Sequence, residues 1–145
     1  MYTIWVIKMG PVGIVVTSSR VSEMVLGFKK QFVSKIISGS KIHTIRVDEH
    51  KRWKVGNIIH FATGVRTKAY KNFKEGHCLG VQKIEFKYVM YNDRIPVILV
   101  DDIVLTTPEV ELLANNDGFD TVDKLYAWFN SDFKGKIIHW TDFKY

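Results

Sequence analysis

From residue 42 onward the chain strings short β-branched and aromatic runs between polar turns, with no helical crossover before residue 107. That order constrains the fold more than any other feature. Residues 42–47, 58–63, 78–89 and 96–101 read as strands, with turns at Val55-Gly56-Asn57 and Asn92-Asp93. Thr107-Pro108 then opens a short helix over 108–115, threonine capping it and proline taking the first helical position. Asn116-Asp117-Gly118 breaks it, Asp120 caps a second helix over 121–131, and residues 136–143 form a closing strand. Strands in one block and helices in another, with no βαβ repeat, define an α+β fold. A small closed or nearly closed β-barrel with helices at its ends fits the order.

Before this block, residues 23–38 carry a helical period. Phe28, Phe32 and Ile36 fall at i, i+4 and i+8, and Gly39 stands where a C-cap glycine would end the helix. Residues 1–23 stand apart as an N-terminal extension or added strand, leaving residues 24–145 as the domain. Short strands at 2–7 and 13–16 are split by Gly10-Pro11, and Ser18-Ser19-Arg20 looks like a turn. This start is apolar but interrupted by Lys8, Gly10, Pro11 and Gly13, a poor pattern for a signal peptide.

At 145 residues the chain can bury a core of its own, and nine Phe, six Tyr and four Trp supply the apolar area. A single cysteine, Cys78, excludes an internal disulfide and makes a reducing cytoplasm the simplest setting. No apolar run is long enough for a membrane span. Five histidines are scattered without ligand spacing, and Gly-rich phosphate motifs are absent, so neither a metal nor a cofactor is expected. A net charge of +6 favours a polyanionic partner, nucleic acid first.

Chemistry concentrates in Gly39-Ser40-Lys41-Ile42-His43-Thr44-Ile45-Arg46, between the first helix and the first strand of the domain. A cluster there is either a cap-and-turn device or a ligand site. Thr44 and Arg46 share a strand face. Arg46 either forks onto a phosphate or carboxylate or pairs with Asp48, Asp101 or Asp117. Threonine is a nucleophile only with a base, and Lys41 serves only if it sits in the turn after Gly39 rather than on the regular strand. The polar stretch 64–76 reads as an exposed loop. It sets Arg66, Lys68, Lys71 and Lys74 among Tyr70 and Phe73, which suits either solvent or single-stranded RNA. Trp140 either packs in the core or stacks on a base.

Four ordered stretches together resemble the ASCH domain family of the PUA-like superfamily, over about residues 24–145. They are the helix ending at Gly39 with Lys41-Ile42-His43-Thr44-Ile45-Arg46; Lys54-Val55-Gly56-Asn57 with Ile58-Ile59-His60-Phe61; Asn116-Asp117-Gly118-Phe119 with a helix ending in Trp128-Phe129; and Ile137-Ile138-His139-Trp140-Thr141. The resemblance implies a small PUA-like barrel with a cleft that binds RNA or a modified nucleobase or nucleoside. Some members hydrolyse the amide of N4-acetylcytidine nucleosides, and others are described as ribonucleases. Carried across from the amidohydrolases, Lys41 is the base, Thr44 the nucleophile and Asp117 the acid. Asp117 stands where those members have glutamate, one methylene longer. Arg46 would hold the substrate electrostatically.

Overall fold

The computed structural model describes residues 2–10, 13–89 and 92–145, with side chains over 21–89 and 94–145. The architecture is α+β. Strands β1 (Tyr2–Gly10) and β2 (Gly13–Val21) pair antiparallel as a hairpin that forms its own two-stranded sheet. Ser18, Ser19 and Arg20 therefore lie within β2 rather than in a turn, because each pairs across the hairpin. Of the expected break at Gly10-Pro11, Gly10 ends β1 and Pro11 lies outside the described residues.

The helix expected over 23–38 is half strand. β3 (Glu23–Gly27) pairs in parallel with β5 (Ile58–Thr63), and a 3-10 turn at Lys30–Phe32 leads into α1 (Val33–Ser38). The partner strand supplies hydrogen bonds that a local period does not reveal, and it overrides the weak helical pattern. Gly39 ends α1 as expected, at φ 84°, where a side chain would be strained.

β6 (Lys71–His77) pairs with β5, giving the sheet order β3-β5-β6. The exposed loop expected over 64–76 is thus limited to 64–70. A strand at a sheet edge buries little, so β6 lacks the apolar alternation that marks a strand.

The larger sheet contains β4 (His43–Arg46), β7 (Gly80–Val89), β8 (Asn92–Val100), β9 (Ile103–Val104) and β10 (Phe133–His139), in the order β4-β10-β7-β8-β9. Asn92 and Asp93 open β8 instead of forming a turn. The closing strand starts three residues earlier than expected and stops at His139, so Trp140 lies beyond it. On β7 the buried positions alternate through Gln82, Ile84 and Phe86, the period of a strand with one face inward. Among the described residues the strand ladders fall into these separate sheets and do not join in a ring.

Helices α2 (Thr107–Asn116) and α3 (Val122–Trp128) follow β9. Their caps lie one residue from expectation. Thr106 accepts from Glu109 N, and Thr121 accepts from Lys124 N. Ile36, Ile59, Phe61, Leu113, Ile137 and Ile138 are fully buried where the sheets and helices meet. No helix among the described residues is long and apolar enough to cross a membrane.

Candidate functional site

The α1–β4 turn meets the C-terminus of α2. Lys41 sits in that turn, its backbone N–H bonded to Lys35 O, and Ile42 N donates to Asn116 O. The condition set by the sequence therefore holds: Lys41 precedes the regular strand and shares a side with Thr44. Gly118 makes room for it. At φ 92°, a Cβ there would stand 2.9 Å from Lys41 Cδ and 3.0 Å from Phe32 Cδ1.

A cavity of about 360 Å³ opens at this junction. Lys41, Thr44, Arg46 and Asp117 all line it, so four of the residues expected at the site come together. Lys41 is 2% exposed. Its Nζ donates to the Asp117 carbonyl at 2.5 Å and lies 3.4 Å from Asp117 Oδ1. An ammonium at the carbonyl end of α2 also meets the negative pole of the helix. Burial, aided by the Arg46 charge, still pulls the Lys41 amine down to about 8, with Asp117 opposing the fall.

Thr44 Oγ1 accepts from Arg46 Nε at 3.3 Å, as expected for alternate residues on one strand face. Arg46 also donates to Gly27 O at 2.6 Å, and its guanidinium lies 5.0 Å from the Phe28 ring centre. Of five guanidinium N–H donors, two are thus engaged among the described residues. Lys41 Nζ and Thr44 Oγ1 share the cavity without bonding each other directly.

Three aromatic rings complete the wall: Phe32, expected on a helix stripe, and Phe119 and Trp128, expected only within the family-like stretches. Phe32, Phe119 and Trp128 pack edge to face, with centroids 5.6 to 5.7 Å apart. Trp128 is 44% exposed at the mouth, with Lys29 Nζ 4.8 Å from its ring centre. The signal for Trp128 lay in an exposed aromatic at a helix end, but only tertiary packing aims it here. Trp140 is not among the lining residues. It packs edge-on against Phe61 at 4.8 Å and Phe28 at 6.1 Å.

Behind the cavity lies a buried polar network that the sequence reading missed. His43 Nδ1 is 3.0 Å from Asp117 Oδ1, and His43 Nε2 is 2.6 Å from the Tyr145 hydroxyl. His139 faces His43 across the β10–β4 ladder, with ring centres 5.3 Å apart. His43 falls within the Lys41–Arg46 stretch, and its place there was the available signal.

Of the residues expected in the basic loop, Arg66, Lys68 and Tyr70 are exposed, as is Lys71 at the start of β6. Lys74 on β6 instead holds its Nζ 5.6 Å from the Phe61 ring centre. The loop touches the cavity through Val65, which packs so closely on Gly27 that a Cβ there would meet Val65 Cγ2 at 3.0 Å. If RNA runs from the cavity along this loop, changing Arg66, Lys68 and Lys71 to alanine will flatten the slope of log affinity against log salt by about 2, since each single-strand phosphate contact contributes roughly 0.7. Binding measured over a salt series checks this, and an unchanged slope places the contact elsewhere.

Among the described residues, no three His, Cys, Asp or Glu side chains converge as metal ligands would. Compared with protein-family models, curated proteins and solved structures, the chain matches none.

Proposed function

We propose that this chain is an ASCH-type, PUA-like module of the cytoplasm. In this reading its two larger sheets act as an incompletely closed barrel, and its cavity takes a nucleobase or a short RNA segment. The observation that carries the reading is the pairing of aromatic walls with a buried lysine and a half-buried arginine in one small cavity. Rings at Phe32, Phe119 and Trp128 offer faces and edges to a base, and Arg46 offers its guanidinium to carbonyl or phosphate oxygens. A volume of about 360 Å³ is at the small end for ligand pockets and suits a nucleoside-sized occupant. The exposed basic loop beside it supplies charge for a flanking backbone.

Calorimetric titration of a nucleoside and short-RNA panel tests this. Arg46→Ala will weaken binding by roughly 10- to 100-fold, the loss of hydrogen bonds to a charged donor, whereas Thr44→Ala will have a mild effect. Equal affinity of wild type and Arg46→Ala for every panel member would sink the assignment of Arg46.

A second reading, hydrolysis of an N4-acylated cytidine nucleoside, is favoured by one specific observation. Lys41, with its amine at about 8, lines the same cavity as Thr44 and Asp117. Lys41 would take the Thr44 proton through a water or after ligand-induced closure, because the two do not bond directly. Asp117 would hold Lys41 in place. Mass detection of the deacylated nucleoside separates this reading from binding alone.

A further inference from the structure

We infer that His43 and Tyr145 are positioning residues, which fix the Asp117 carboxylate from behind the cavity and so set how firmly it holds Lys41. Neither side chain lines the cavity, so neither is assigned contact with a ligand. Their action runs through hydrogen bonds whose directions are forced.

An ionised carboxylate only accepts, so the 3.0 Å contact to Asp117 Oδ1 requires a proton on His43 Nδ1. His43 is fully buried, and burial holds its imidazole below the ordinary range, so the ring is neutral near pH 7. A neutral ring protonated at Nδ1 has a bare lone pair at Nε2. The Tyr145 hydroxyl, 2.6 Å away, must then donate to it. That hydroxyl in turn accepts from Asn116 Nδ2 at 3.2 Å. The donation order is Asn116 to Tyr145 to His43 to Asp117.

Asn116 and Asp117 are neighbours at the end of α2, so the chain of bonds closes into a ring on that helix terminus. The Asp117 oxygen that accepts from His43 is the same Oδ1 that lies 3.4 Å from Lys41 Nζ, so the ring of bonds fixes the atom that Lys41 faces. Tyr145 is held by its backbone: its N–H donates to Gln82 Oε1 at 3.0 Å, and its carbonyl accepts from Gln82 Nε2 at 3.1 Å. Gln82 Oε1 also accepts from His139 Nε2 at 2.9 Å. The groups facing His43 are Asp117, Lys41, Tyr145 and His139. Those acting on Lys41 are Asp117, Arg46 from β4 and Lys35 from α1, and Lys41 in turn acts on His43. A His43 proton shared with Oδ1 draws carboxylate charge away from Lys41. Removing it leaves that charge to the ammonium, which raises the pH at which Lys41 gives up its proton.

The inference rests on the reading of Lys41 as the working amine of the cavity, but its test does not need turnover. Nitrogen-15 spectra of His43 and a carbon-13 titration of Lys41 Cε are recorded for the full chain and three variants. Wild-type His43 is expected as the Nδ1-protonated tautomer, with Lys41 titrating near 8. Tyr145→Phe, which keeps the ring packed on His43, is expected to mix the two tautomers and raise the Lys41 midpoint. His43→Leu should raise it by about one pH unit, the scale of one hydrogen bond to a charged group. His43→Asn restores a donor towards Asp117 and should bring the midpoint back. A wild-type Nε2-protonated tautomer, or a Lys41 midpoint unmoved in Tyr145→Phe, overturns the inference even if His43→Leu fails to fold. Nucleosides that do not bind a wild type showing the expected tautomer and midpoint overturn the functional reading alone and leave this one supported.

Discussion

Replacing Asp117 by alanine is expected to lower the free energy of unfolding by about 3–5 kcal/mol, the usual cost of removing one partner of a buried ion pair. The ammonium of Lys41 would keep a single carbonyl for a partner, and the Nδ1–H of His43 would have none. For a chain of this size the melting temperature should fall by roughly 10–15 °C. The loss depends on pH with a definite sign. Lys41 releases its proton near 8 when folded, against 10.5 for the free side chain. Between those values the unfolded chain binds more protons, so this group's contribution to stability rises with pH across the window. Asp117 holds the folded value up, so the variant begins its rise at lower pH and its deficit shrinks as the solution becomes more alkaline. Denaturant melts of wild type and Asp117→Ala at pH 7 and 9 check both statements. A deficit below about 1 kcal/mol at pH 7 would mean that water reaches the pair and that Lys41 is not desolvated. Exchanging both residues for apolar ones of similar volume should recover most of the loss.

The second large effect concerns turnover of N4-acetylcytidine. If Thr44 is the nucleophile and Lys41 its base, Thr44→Ala and Lys41→Ala should each lower kcat on the order of 100- to 10,000-fold. The double variant should lose little more, because groups acting as a unit are not additive. Thr44→Ser keeps the hydroxyl and should retain part of the rate. A base works when neutral, so kcat/KM should climb with pH and level off above about 8. Asp117→Asn should move that climb to lower pH, since the carboxylate holds the proton on Lys41. Product formation that survives Thr44→Ala ends the threonine mechanism. Tight binding with no product from the wild type ends the hydrolase reading and leaves the binding module.

Several strands from residue 42 onward and part of the candidate cavity were legible in the sequence. Gly39 and the Lys41-x-x-Thr44-x-Arg46 spacing act locally: a left-handed cap ends the helix, and alternate residues share a strand face, so short-range rules place them. Asp117 lies 76 residues from Lys41, and it came to the site through the family resemblance rather than any local rule. β3 was misread because Val25 and Phe28 also fit a helical period. Its strand character comes from β5, more than 30 residues on. β6 was missed because a polar edge strand has no buried face to print a pattern. Trp128, His43 and Tyr145 depend on which elements pack together, which no window of sequence contains.

β10 lies between β4 and β7, and it is the one ladder partner of β4 among the described residues. During synthesis, β4 has left the ribosome for some ninety residues before β10 emerges to pair with it. Through that interval the segment that carries Thr44 and Arg46 has neither edge paired, and contacts so far apart in sequence form slowly. The cavity draws its walls from residues 27 to 129, and β4, which carries Thr44 and Arg46 into it, gains its ladder partner only after all of those residues have been made.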